Sequence, residues 1–150
     1  MIFWLALSVL AGFALTVQLG INNQLRESLQ NPVLTALVSF LVGSCGIVLY
    51  LAFSVLNGTH PLPSQQQILG IVWWKWLGGL LGAAYVVSVV LVVGRLGGAT
   101  TTGLVIAGQL VSALVLDHFG WLGFPQHPLS ALRLIGALLL ILGVYLIQRF

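Results

Sequence analysis

The stretch LTVQLGINNQLRESLQNP, residues 15–32, follows a long apolar run and sets Gln18, Asn22 and Arg26 at four-residue spacing. On a helix these three share one face. Carboxamides donate and accept hydrogen bonds without carrying charge, so their chemistry is recognition of polar groups, not bond breaking. Counted from Ile2 at 1.5 Å per residue, Gln18 lies about 24 Å along the helix and Asn22 about 30 Å. In a hydrocarbon layer about 30 Å thick, Gln18 is then still inside and Asn22 marks the far boundary. Asn23 onward reads as the exit. An amide without partners is costly among lipid tails, so Gln18 either bonds a neighbouring helix or faces something polar within the protein.

Gln109, in ATTTGLVIAGQLVSALVLD, is the second amide of this kind. It falls near the centre of an apolar span, with Val105 and Ser112 on its face by four- and three-residue spacing, and Gly108 beside it leaves room for another backbone. Polar groups at the midplane point by default to a pathway or a binding site. Tyr85 and Ser88, three residues apart, offer a phenol and a hydroxyl at comparable depth; they could stack on and bond a small ligand, or the Tyr could bond a backbone carbonyl in the core. Thr100, Thr101 and Thr102 form either a polar rim or an ordinary helix cap. The substrate-binding candidates are therefore Gln18, Asn22, Tyr85, Ser88, Gln109 and Ser112. Asp117 and Arg95, at opposite span ends, are the charged candidates for coupling or gating. Asp117 can handle protons, or it can be a helix-end carboxylate paired with a nearby Arg or the backbone.

Several chemistries lack their residues. No paired carboxylates lie within a span, and there is no H-E-x-x-H, G-x-S-x-G or phosphate-binding glycine loop; GRLGGATTTG lacks the P-loop Lys. His60, His118 and His127 are scattered without ligand spacing for zinc. The expectation is a protein that is not an enzyme and uses no metal or cofactor. A carboxylate at the midplane, able to exchange protons for an organic cation, is also missing, which favours a neutral, zwitterionic or anionic ligand.

The elements that must hold these residues are membrane helices. The hydrophobic set makes up 59% of the 150 residues and only 5% are charged, whereas a soluble domain is roughly a quarter charged. A soluble fold of this size could not cover so much apolar surface. A net charge of +3 without any basic run gives no reason to expect nucleic acid. With no basic residue before Arg26, the first segment lacks a signal-peptide n-region and is expected to stay as a span. Cys45, the lone cysteine, reads as small packing within an apolar run. Five runs approach the required length of about 20 residues: 2–20, 33–56, 76–93, 99–116 and 132–147. They lack strand alternation, so the fold class is all-α, one polytopic domain over residues 1–150 with five transmembrane helices. The loop NGTHPLPSQQQ is polar, while DHFGWLGFPQHPLS is apolar enough to lie along the interface.

An odd number of spans separates the termini. With Met1 on side A, that side holds Lys75 and Arg133 and side B holds Arg26, Arg95 and Arg149. Orientation follows the Lys/Arg excess, and this excess is nearly nil. All five tryptophans, Trp4, Trp73, Trp74, Trp76 and Trp121, map to side A, although indole favours both interfaces. Two protomers inserted in opposite directions would balance both. The expected assembly is an antiparallel homodimer of ten helices. Small residues four apart (Ser8 and Gly12, Ser39 and Gly43, Gly78 and Gly82, Gly79 and Ala83) predict close helix packing.

QLGINNQLRESLQNPVLTALVSFLVGS, the run from WLGGLLGAAYVVSVV through GQLVSALVLDHFGWLGF, and the closing LRLIGALLLILGVYLI resemble the YdcZ-type five-helix family of the drug/metabolite transporter superfamily. The sharpest motif is Gly108-Gln109-Leu110 followed by Asp117-His118-Phe119-Gly120. The resemblance implies a bacterial inner-membrane carrier in which this chain is one half and two copies enclose the substrate, as inverted repeats do in larger transporters. By position, Gln18, Asn22 and Gln109 match the family's recurring polar residues. Small multidrug relatives place a glutamate in the first span; none stands there here. The expected function is a dual-topology secondary transporter of a small polar or amphipathic metabolite. A non-transporting subunit that docks a larger partner through its glycine faces, and a narrow channel, are the alternatives.

Overall fold

A computed structural model describes all residues from Met1 to Phe150. It contains six α-helices and no strand: α1 (Ile2–Leu29), α2 (Pro32–Leu56), α3 (Gln65–Leu69), α4 (Gly78–Leu96), α5 (Gly98–Phe119) and α6 (Ala131–Arg149), with 3₁₀ turns at Trp73–Leu77 and Trp121–Gly123. Five helical segments are long and apolar enough to cross a bilayer: α1, α2, the continuous stretch Trp73–Leu96, α5 and α6. Their bounds match the expected spans closely except in α1, which runs nine residues past position 20.

Local bonds explain that extension. The Asn23 amide donates to Glu27 Oε1 at 3.2 Å and the Ser28 hydroxyl to the Gln24 carbonyl at 3.2 Å, pairs one turn apart that support an exposed helix. The helix stops where Gln30 turns left-handed (φ 52°). Asn31 then caps α2, its side chain accepting from the amides of Val33 and Leu34, and Pro32 occupies the first turn, where no backbone donor is needed. The result is a tight α1–α2 hairpin. α3 opens with a reciprocal capping box between Ser64 and Gln67.

The chain divides into two compact units, Met1–Leu91 and Val92–Phe150. In the first, Ala36 of α2 packs with Val86 and Val90 of α4, flanked by Val87. The Arg26 guanidinium donates from Nη1 to the Val90 carbonyl at 3.2 Å and ties the end of α1 to α4. In the second, α5 and α6 cross where Gly103 meets Val144: a Cβ on Gly103 would lie 3.0 Å from Val144 Cγ2. Gly97, at φ 78°, makes the turn into α5. The Thr101 hydroxyl donates back to the Gly97 carbonyl at 2.7 Å. None of Thr100, Thr101 and Thr102 caps the helix, because Gly97 is the cap residue.

Only seven apolar residues are buried, while long stretches of Leu, Ile, Val and Phe on α1, α2 and α6 face outward. In water such a surface would aggregate; in a bilayer it is the solvated face. Of the glycines in the four small-residue pairs, only Gly82 has a close neighbour outside its own helix: a Cβ there would lie 3.7 Å from the Phe40 ring, whereas Gly12, Gly43, Gly78 and Gly79 face open space.

Candidate functional site

Gln18 lines a groove between α1 and α2 with Ser39, Phe40, Gly43, Ser44 and Ile47, of about 180 Å³. The hairpin sets this register: eleven residues separate Gln18 from the end of α1 and eleven separate Gly43 from the start of α2. Ser44 is the central residue of α2. The groove therefore faces the middle of a 25-residue span, so Gln18 sits deeper than the count from Ile2 suggests. α1 is about 42 Å long at 1.5 Å per residue, more than the hydrocarbon needs, and its pairing with α2 decides its depth. The lining is one amide, two hydroxyls, one phenyl ring and two apolar surfaces, without a charge.

Asn22, one turn on, is 4% exposed and packed inside the first unit, and Arg26 another turn on is held by the Val90 carbonyl. The stripe Gln18–Asn22–Arg26 thus runs from an open groove, through a buried amide, to a tethered cation. Tyr85 is 36% exposed and not a core residue. The Ser88 hydroxyl donates to the Ala84 carbonyl of its own helix at 2.8 Å.

In the second unit, Gln109 and Gly108 are the central pair of α5. Gln109 and Ser112 are both exposed on that helix. Asp117 ends α5 in a clasp: Oδ2 accepts from Arg133 Nη2 at 3.4 Å, and its backbone carbonyl accepts from the His127 amide at 2.8 Å. Arg133 also donates from Nη1 to the His127 carbonyl at 3.0 Å, and His118 Nδ1 accepts from the Leu129 amide at 3.1 Å. The ring of Phe119 stacks on Trp121 with centroids 4.7 Å apart, so the apolar loop after α5 is an ordered structure. Arg95 is exposed at the far end of α5 from Asp117; within one chain the two cannot act on the same ion.

Ser39 and Ser44 complete the Gln18 groove and lie outside the candidates named from sequence. Counting outward from the Gln30–Asn31 turn would have found them, since it sets residue 18 opposite residue 43.

Five helices long and apolar enough to cross a bilayer define a multi-pass helical membrane protein. The chain belongs to the YdcZ family of the drug/metabolite transporter type, described as "Putative inner membrane exporter, YdcZ", which matches residues 3–146. It is 33% identical over 147 residues to the Inner membrane protein YdcZ of Escherichia coli (strain K12), covering 97% of this chain and 94% of that relative. It is accordingly a multi-pass protein of the inner membrane. No solved structure matches it.

Proposed function

We propose that this protein is a dual-topology secondary transporter that exports a small polar or amphipathic metabolite by alternating access between two inverted copies. The observation that carries this reading is that Gln18 and Gln109 both sit at mid-span and are both left uncovered by their own chain. An exposed amide in hydrocarbon is disfavoured by roughly 2–7 kcal/mol, so each asks for a wet cavity or a second polypeptide. An inverted partner supplies both, and leaves the protein a carrier and not an enzyme. The near-equal Lys/Arg counts on the two sides and the five tryptophans on one side fit insertion in both directions. In such a pair each membrane face presents Asp117 from one copy and Arg95 from the other, a pairing of opposite charge suited to a gate. Asn22, Tyr85, Ser88 and Ser112 are the remaining candidates for contacts to the substrate. The description of the family as an exporter supports the outward direction.

Two measurements test the proposal. Reporters fused after Phe150 should be active on both sides of the membrane in comparable amounts; activity on one side alone contradicts inversion. Purified protein in liposomes, supplied with labelled metabolite mixtures, should show saturable uptake accelerated by substrate on the opposite side. Linear, unsaturable flux would indicate a channel, and no flux together with a co-purifying larger protein would indicate a subunit.

A further inference from the structure

We infer that the Gln18 groove selects an uncharged, hydrogen-bonding solute with an apolar edge, and rejects both cations and anions of the same shape. This rests on the reading of that groove as part of the transport site and narrows its substrate to one class.

The hydrogen-bond inventory of the spans supplies the first argument. Ser8, Thr16, Ser28, Thr35, Ser88 and Thr101 each donate their hydroxyl to the carbonyl four residues back, at 2.7 to 3.2 Å. This is how helices in apolar surroundings satisfy hydroxyls locally. Ser39 and Ser44 make no such bond, nor do Ser54, Thr100, Thr102 and Ser112, but only Ser39 and Ser44 lie beside Gln18, whose amide also has no partner within the chain. All three open into the same groove. Between them they present an amide that donates and accepts and two hydroxyls that do either. Such a set matches a neutral group with mixed donors and acceptors, such as a carboxamide, a urea or a polyol edge.

Charge supplies the second. The groove has no ionic lining, and the cations that could serve an anion lie at span ends or in loops, with Arg26 committed to the Val90 carbonyl and Arg133 to Asp117. An ion placed at mid-span without a counter-charge is far more costly than a neutral group that finds its hydrogen bonds. The two carboxylates of the chain, Glu27 and Asp117, are likewise at helix ends, so a cation fares no better.

Shape supplies the third. Phe40 and Ile47 form the apolar wall, and Phe40 is steadied from behind, its ring edge 3.7 Å from where a Cβ on Gly82 would stand. At about 180 Å³, the groove admits a small solute such as a single ring bearing one polar group.

Benzamide, benzamidinium and benzoate share that shape and differ in charge. Saturable binding of each is to be measured by equilibrium dialysis on the full chain in lipid nanodiscs, with retained helicity and elution volume as folding controls. Benzamide should bind at least tenfold more tightly than either ion. The Ser39→Ala/Ser44→Ala double variant and Gln18→Leu should each lose at least fivefold for benzamide. Gly82→Leu, which pushes Phe40 across the groove, should lose it too. Benzamidinium or benzoate binding within tenfold of benzamide overturns the inference, as does the absence of saturable benzamide binding or its survival in the double serine variant. Loss of dimer in that variant with benzamide binding intact would show the groove to be a helix-packing surface. Preference for the neutral probe without any transport of metabolites would sink the carrier reading alone, whereas coupled transport of ions without that preference would sink this inference alone.

Discussion

The Arg26 guanidinium bonds the carbonyl of Val90 at 3.2 Å, and Val90 is itself fully buried in the core between α2 and α4. One residue thus anchors the polar end of α1 to the apolar heart of the first unit, and fixes the helix on which Gln18 rides. Hydrogen bonds from charged donors contribute about 1.5–3 kcal/mol when buried; this one is partly exposed, so Arg26→Ala should destabilise by about 1 kcal/mol. Thermal unfolding in detergent would show it as a lowered midpoint, with Arg26→Lys recovering part of the loss. An unchanged midpoint for both variants would mean that the tether carries no weight.

Gly103 is the closest approach of α5 to α6. A methyl there would stand 3.0 and 3.1 Å from the two γ-carbons of Val144, whose branched side chain has few rotamers to retreat into. Overpacking of this kind costs about 1–3 kcal/mol. Gly103→Ala should therefore lower stability, Gly103→Leu should lower it further, and Val144→Ala should restore much of the loss in the double variant. Additive effects in that cycle would contradict the contact.

The Asp117–Arg133 pair joins α5 to α6 at their side A ends, with the two side chains 21% and 34% exposed. Ion pairs of this exposure contribute no more than about 1 kcal/mol, so Asp117→Asn should leave the helices folded. Its effect should appear in the loop, where protease cleavage between Trp121 and Ser130 should quicken several-fold. Arg133→Gln should do the same to a similar extent. A variant at Asp117 that abolished proton-coupled flux while the loop stayed protected would assign the carboxylate to coupling and not to the clasp.

The apolar spans were legible in the sequence because length and hydropathy are themselves the physical requirement for crossing a bilayer, and α2 begins at Pro32, one residue before the expected 33. The end of α1 was not, since polar residues leave the hydrocarbon without leaving the helix: Asn23, Glu27, Gln24 and Ser28 continue it through bonds one turn apart. Gln18 and Gln109 stand out by type and depth. Ser39 and Ser44 do not, because which residues face Gln18 depends on the hairpin register, a tertiary fact that four-residue spacing within one helix cannot supply. The small-residue pairs illustrate the same limit. Spacing identifies surfaces that can be approached closely, but Gly12, Gly43, Gly78 and Gly79 have nothing against them within the chain, whereas Gly103, outside those pairs, makes the tightest contact.

What surrounds Gln109 at the centre of α5 decides between a polar cavity and lipid. A nitroxide attached at Gln109→Cys, in a Cys45→Ser background and in lipid bilayers, reports this through collisions with a water-soluble nickel chelate and with oxygen, which concentrates in lipid. High chelate and low oxygen accessibility, the reverse of a label on outward-facing Leu138 of α6, is the predicted result. Oxygen accessibility equal to that at Leu138, with the chelate excluded, would place the amide among acyl chains and contradict a shared polar cavity.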